Sequence, residues 1–218
     1  MISTGHIYKK SKLKLTSLSI VFPTGSIYDK EGKRGIYHLM EHLITKPLDK
    51  YQDLFTANCI EFNAMTSINY GIVYFNGLDS KLTPELKKEV VNCLLNNFNE
   101  VTEEQFNIEK QIVSQEIMDV YNDTFNGNLM NIFYSHYNVH DPAGIPDEVN
   151  SITFDEVKEL ARVVFNKPLR IVEIGPSKTE FNNITYNSVL PEPIRVNYKK
   201  TKKEVLPVQK GDKTNVMS

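Results

Sequence analysis

The stretch of sequence that decides the fold is Gly35-Ile36-Tyr37-His38-Leu39-Met40-Glu41-His42-Leu43. Its apolar residues recur with the period of an α-helix and the pattern stops before a proline, so we expect a helix over 35–45. On that helix His38 and His42 lie about 40° apart around the axis, with Glu41 on the same side. Two imidazoles one turn apart can bind one zinc ion, and a carboxylate beside them can take a proton from metal-bound water.

A third metal ligand is expected elsewhere, because the inverted-zincin order His-x-x-Glu-His supplies two and catalytic zinc takes three protein ligands plus a water. A capping box opens a second helix, predicted over 102–121, which carries Glu109 and Glu116 two turns apart on one face. Taken alone, each motif also has a simpler interpretation. The histidines then belong to a solvated surface helix, and the glutamates to an acidic face exposed to water.

Strand and helix signals alternate on both sides of these segments. Strands are predicted at 13–22, 60–66, 70–78 and 169–174, and further helices at 51–58, 83–98, 125–137 and 153–165. The two central strands are separated by a short turn, so we expect them to pair antiparallel. This order favours an α+β fold, in which helices lie on one face of a mixed or antiparallel sheet.

Length and composition limit the class of protein. The chain has 218 residues, of which 40% are hydrophobic and 24% charged, as in soluble globular domains. No apolar run is long enough to span a membrane, and a net charge of −2 argues against general nucleic-acid binding. The N-terminus lacks the apolar core of a signal peptide, and the two cysteines form no disulfide framework. We therefore expect a cytoplasmic protein without membrane or nucleic-acid partners.

Charge and proline content divide the chain in two. Residues 177–218 contain eight basic and four acidic residues, three prolines and no sustained apolar period. This composition is typical of a linker or an extended arm. We predict one α+β domain over 1–176, followed by a basic tail over 177–218.

Several segments together resemble one family of zinc peptidases, the pitrilysin, insulysin and mitochondrial processing peptidase family. Residues 35–43 resemble its zinc-site segment, and residues 109–116 resemble its downstream segment with two glutamates seven apart. Glu116 follows His42 by 74 residues, close to the usual separation in that family. The remaining similar segments are 22–26, 62–67, 144–146, 152–153 and 171–175.

The resemblance implies a role for each residue of the motifs. His38, His42 and Glu116 match the zinc ligands, and Glu41 matches the general base that activates the metal-bound water. Glu109 matches the second glutamate, which supports the site without binding the metal. Such supporting groups orient the ligands and tune the bound water.

The resemblance also implies a substrate and a partner. Asn63 and Ala64 match the edge strand on which the family binds an extended peptide by backbone pairing. Family members usually face two such domains across a chamber, and this chain resembles only the zinc-bearing half. We therefore expect zinc-dependent hydrolysis of peptides or unfolded segments by a homodimer, or by a heterodimer with a different facing domain.

Two alternatives to this interpretation follow from the same residues. S-ribosylhomocysteine lyase shares the His-x-x-Glu-His order but needs a catalytic cysteine, which here would be Cys59 or Cys93. A non-catalytic subunit that binds peptides or serves as a scaffold is the second alternative, although it would have no need of Glu41 beside a complete ligand set. The segment 44–47 departs from the family pattern and leaves the wall beneath the zinc undefined.

Overall fold

A five-stranded mixed β-sheet forms the centre of the structure. The computed structural model describes residues 5–137, 139–165 and 169–181. The strands are β1 (His6–Lys10), β2 (Leu15–Phe22), β3 (Glu61–Thr66), β4 (Gly71–Leu78) and β5 (Arg170–Gly175). Their order in the sheet is β1-β5-β2-β4-β3. The β1–β5 pair is parallel and every other neighbouring pair is antiparallel, which confirms the expected α+β fold with a mixed sheet.

One face of this sheet is buried and the other is half exposed, because apolar and polar residues alternate along the central strands. In the β2–β4 register Leu18 lies opposite Phe75 and Ile20 lies opposite Val73, and all four side chains have no exposure. The serines that alternate with them on β2, at 17 and 19, point to the half-exposed face. The sheet therefore offers one apolar surface on which helices can pack.

Seven α-helices accompany the sheet within the described residues. They are α1 (Ile36–Thr45), α2 (Gln52–Ala57), α3 (Pro84–Asn96), α4 (Glu103–Asn122), α5 (Thr124–Tyr137), α6 (Pro146–Asn150) and α7 (Phe154–Phe165). Their starts follow the capping signals in the sequence. The Thr83 hydroxyl accepts the Leu86 N–H at the start of α3, and Thr102 and Gln105 form the capping box of α4. None of the described helices combines the length and apolar character needed to cross a membrane.

Helix α1 lies at the centre of the helical layer. Its residues Leu39 and Leu43 have no exposure and belong to the same core cluster as the buried residues of β2 and β4. The helix contacts α4, α7 and β3. This placement puts the polar face of α1, which carries both histidines, between α4 and the outer strand β3.

The sequence predicted these elements closely but missed two of them. Strand β1 follows no clear apolar alternation and carries Lys9 and Lys10, yet it pairs with β5 at the sheet edge. Helix α6 has five residues, too few for a periodic signal. Of the predicted tail over 177–218, residues 182–218 lie outside the described residues.

The chain that follows β5 is anchored by a buried ion pair. Lys87 Nζ on α3 lies 2.8 Å from Glu173 Oε1 on β5, and neither side chain is exposed to solvent. Glu173 also accepts hydrogen bonds from the Thr179 N–H and hydroxyl at 3.0 and 2.8 Å. Phe181 packs edge-on against the His6 ring. The segment up to Phe181 is thus part of the folded core.

Asp29 holds the N-terminus of α1. Its Oδ2 accepts the Gly35 N–H at 2.8 Å, while Oδ1 has no hydrogen-bond partner among the described residues. The residue is only 7% exposed. Burial raises the pKa of Asp29 to about 7, although the hydrogen bond from Gly35 acts in the opposite direction.

Asp29 makes stability depend on pH. Because its folded pKa of about 7 exceeds its unfolded pKa, the stability it contributes when protonated is lost as the pH rises from about 4 to 7. Relative to Asp29→Asn, we expect the wild-type free energy of unfolding to fall by up to ~4 kcal/mol over that range. Urea unfolding at a series of pH values measures this difference. The exposed control Asp53→Asn should keep the wild-type profile, and identical profiles for wild type and Asp29→Asn would contradict the assignment.

Candidate metal centre

Three side chains from two helices converge on one point. His38 and His42 project from α1 and Glu116 from α4, and one ligand atom from each lies within 4.8 Å of the others. Glu116 Oε2 lies 3.5 Å from His38 Nε2 and 3.4 Å from His42 Nε2. Two imidazoles and one carboxylate are a donor set that zinc accepts. The structure thus brings together the three residues that the sequence predicted as ligands.

The remaining ring nitrogen of each histidine has its own partner. His42 Nδ1 lies 3.0 Å from Glu109 Oε2, and His38 Nδ1 lies 3.0 Å from the Ala143 carbonyl oxygen. Both acceptors favour a proton on Nδ1, which leaves the Nε2 lone pair directed at the site. Glu109 is 4% exposed, so the structure places it where the sequence predicted a supporting group.

Glu41 is held beside these groups by the outer strand. The Thr66 hydroxyl, at the end of β3, donates to Glu41 Oε2 at 2.9 Å. Glu41 lines the same cavity as the two histidines. Its carboxylate therefore has a fixed orientation next to the candidate metal position. Sequence reasoning missed Thr66 as a contributor, because a threonine at a strand end has many structural uses.

Lys46 is a second residue whose role the sequence did not reveal. It lies one turn after His42, and its Nζ is 2.7 Å from Glu109 Oε1 and 3.5 Å from Asp49 Oδ2. Burial acts against its charge, but the ion pair with Glu109 outweighs this and raises the pKa of Lys46. Lys46, Glu109 and His42 thus form a continuous chain of polar contacts. The one available signal was the i, i+4 spacing from a predicted ligand.

Two of these side chains also pair electrostatically with each other. Burial opposes protonation of His38, but hydrogen bonds to Glu116 and Ala143 outweigh it and raise the pKa of His38. The same hydrogen bond with His38 lowers the pKa of Glu116 against the effect of its own burial. The groups therefore stabilise opposite charges at the point where a cation would bind.

A cavity of about 520 Å³ opens in front of these groups. Its walls come from α1, α4, β3 and the loop before α6, and they include Asn63, Ala64 and Pro142. Strand β3 is the last strand of the described sheet, so only one side of it pairs with another strand. The Ala64 N–H donates to the neighbouring Asn63 side-chain oxygen at 2.8 Å. Both residues predicted as substrate contacts therefore lie at an open sheet edge beside the centre.

The two cysteines lie away from this cavity. Cys59 is exposed after α2, and Cys93 is buried on α3, where its thiol donates to the Pro47 carbonyl oxygen at 3.2 Å. Neither contributes to the cavity wall. The lyase alternative, which needs a cysteine at the metal, has no support in this arrangement.

Several solved structures of proteases and M16-like peptidases share this fold. A protease from Helicobacter pylori matches with a TM-score of 0.65 and 16% identity, and the match covers 81% of this chain and 45% of that one. An M16-like peptidase from Alicyclobacillus acidocaldarius gives 0.62 and 22%, with coverages of 81% and 45%. A domain from Pseudomonas fluorescens described as inactive gives 0.64 and 12%, with coverages of 79% and 44%. No curated protein sequence matches significantly. This chain spans less than half the length of these three proteins.

The fold brings two histidines and a glutamate together as a candidate metal-binding group. The model of the insulinase family, peptidase family M16, matches residues 7–147. The chain belongs to this family, which confirms the resemblance seen in the sequence.

The Lys46–Glu109 ion pair should contribute measurably to stability. Lys46→Met keeps the apolar stem but leaves the buried Glu109 carboxylate without its cation, so we expect the free energy of unfolding to fall by about 1–3 kcal/mol. Urea unfolding of the metal-free protein measures the loss. Lys50→Met is the matched control, because Lys50 pairs with Glu100 at 3.8 Å on the surface and should change little. A loss no larger than that of the control would show that the pair is not needed.

Proposed function

We propose that this chain is the zinc-bearing domain of a metallopeptidase that hydrolyses peptides or unfolded protein segments. The convergence of His38, His42 and Glu116 carries the proposal. The donor set fits zinc, because both histidines present Nε2 and the third donor is a carboxylate. Membership in the insulinase family supports the same reaction class.

Hydrolysis of a peptide bond needs an activated water and a proton shuttle. Zinc, when bound, would supply a Lewis acid and a water of lowered pKa. Glu41 would accept the proton of the attacking water and return it to the leaving amine. Its hydrogen bond from Thr66 leaves one carboxylate oxygen available for this transfer. Glu109 and the Ala143 carbonyl hold the histidine rings in place.

The open edge of β3 suits an extended peptide as substrate. A peptide that adds to this edge would pair with backbone groups and take the place of the Asn63 side chain at the Ala64 N–H. Backbone pairing makes little demand on the substrate sequence. It does require an extended segment, so we propose flexible peptides and unfolded segments rather than folded domains as substrates.

The domain works with a second body that faces the cavity. The Glu116 side chain is 49% exposed, and the chain spans 45% of the Helicobacter and Alicyclobacillus proteins. We propose that a second copy of this chain, or a different subunit of similar size, covers the open side. A homodimer is the simpler assembly, because self-association through a shared surface is common.

Glu41→Gln separates metal binding from catalysis. The substitution keeps the size of the side chain but removes its ability to take a proton, so we expect zinc to be retained and peptide cleavage to fall at least about 100-fold. Metal analysis and a fluorogenic assay with unstructured peptides measure the two properties. The control Glu104→Gln, on the exposed first turn of α4, should retain both. Wild type without zinc, or cleavage unaffected by Glu41→Gln, would overturn the proposed function.

Sedimentation analysis tests the assembly. We expect a species of twice the 25.0 kDa chain mass at concentrations where peptides are cleaved. A monomer that requires an added subunit for cleavage would identify a heterodimer. A monomer that cleaves efficiently alone would refute the need for a facing body.

A further inference from the structure

The two histidines of the centre depend on different kinds of partner. His42 is held by a carboxylate, Glu109, which lies on the long helix α4. His38 is held by a backbone carbonyl, that of Ala143, in the loop that precedes α6. A ring nitrogen that donates to a fixed acceptor sets the tautomer and the orientation of the ring. The orientation of His38 therefore depends on where this loop places one carbonyl oxygen.

One side chain fixes the turn that contains this carbonyl. Asp141 Oδ1 accepts the Ala143 N–H at 2.9 Å, and the Asp141 carbonyl accepts the Gly144 N–H at 3.0 Å. An aspartate that bonds the backbone two residues on stabilises a turn locally. Asp141 thus holds Ala143 from both ends: its side chain accepts the Ala143 N–H, and its carbonyl accepts the Gly144 N–H of the peptide group whose oxygen contacts His38.

The same turn is docked against the start of α1 by two glycines. Gly35 and Gly144 both adopt positive φ, at 96° and 94°. A Cβ atom at position 144 would lie 2.4 Å from Gly35 Cα and 2.9 Å from the Arg34 carbonyl oxygen. The Ile145 N–H completes the contact by donating to that carbonyl. The turn is therefore held by backbone contacts at the start of α1, the same helix that carries His38.

We propose that Asp141 is a positioning residue of the metal centre, which acts through the Ala143 carbonyl on the His38 ring. The Gly35–Gly144 contact holds the turn that contains this carbonyl in place. The inference rests on the proposed zinc site. Asp141 would touch neither metal nor substrate. It would keep His38 Nε2 directed at the point where His42 and Glu116 converge.

Two substitutions at position 141 distinguish positioning from a charge effect. Asp141→Ala removes the acceptor, and we expect the zinc dissociation constant, measured by competition with a chromophoric chelator, to rise about 10- to 100-fold. Asp141→Asn loses the charge but keeps a side-chain oxygen for the Ala143 N–H, so its affinity should stay near that of wild type. The visible spectrum of the cobalt-substituted protein should change in Asp141→Ala only, because ligand geometry changes only there.

Two glycine substitutions test the docking contact with a matched control. Gly32 and Gly144 both have positive φ, at 82° and 94°, so alanine strains the backbone similarly at each. A Cβ at Gly32 meets nothing within 4 Å, whereas a Cβ at Gly144 meets the backbone of Arg34 and Gly35, directly before α1. We expect Gly144→Ala to weaken zinc binding and Gly32→Ala to leave it unchanged. If Gly144→Ala does not fold, the comparison of Asp141→Ala with Asp141→Asn tests the proposal, because both variants leave the glycine contact intact.

The outcomes separate this inference from the proposed function. Wild type that binds no zinc defeats the proposed function itself. Wild type that binds zinc with unchanged affinity in Asp141→Ala overturns the positioning role. Equal weakening in Asp141→Ala and Asp141→Asn also overturns it, because the effect then comes from charge. Weakening in Asp141→Ala with recovery in Asp141→Asn supports it.

Discussion

The packing of α1 beside α4 is the contact on which the candidate centre depends. Two ligands come from one helix and the third from the other, and zinc bonds near 2.0–2.2 Å tolerate little error in the distance between them. The spacing within each helix is set by the sequence alone. The spacing between the helices is set by the core, where Leu39 and Leu43 of α1 belong to the same buried cluster as Val113 and Ile117 of α4. Chemistry at the surface is thus positioned by apolar packing beneath it.

Polar contacts then remove the freedom that packing leaves to the side chains. Glu109 orients His42 and is itself held by Lys46, while Thr66 orients Glu41 from the outer strand. These supporting groups come from three different places: α4, the turn that directly follows α1, and β3. A centre built in this way is rigid without being buried, which is the arrangement that a binding site for an external substrate requires.

The sequence predicted the parts of this site that rest on local rules. Periodicity and capping placed α1 and α4 to within a residue or two, and the spacings of His38 with His42 and of Glu109 with Glu116 indicated one face on each helix. The family resemblance predicted that these two helix faces form one metal site. The fold and the family are confirmed, whereas the roles of the individual residues stay predictions. The Ala143 carbonyl could not have been foreseen, because every residue has a carbonyl and only the tertiary contact between Gly35 and Gly144 selects this one. Strand β1 was missed for a similar reason, since its pairing with β5 outweighs a weak local pattern.

The exposure of Glu116 has an electrostatic consequence. Two unit charges 4 Å apart interact by about 1 kcal/mol in water but by about 4 kcal/mol at the effective dielectric constant of a protein surface. A body that covered the cavity would exclude water and strengthen the electrostatic interactions in the centre, even if it contributed no group of its own. Dissolved salt would screen the uncovered centre more than the covered one. The strength of the electrostatic interactions in the centre would then differ between the open domain and the covered one because of the local dielectric constant, as much as because of any added residue.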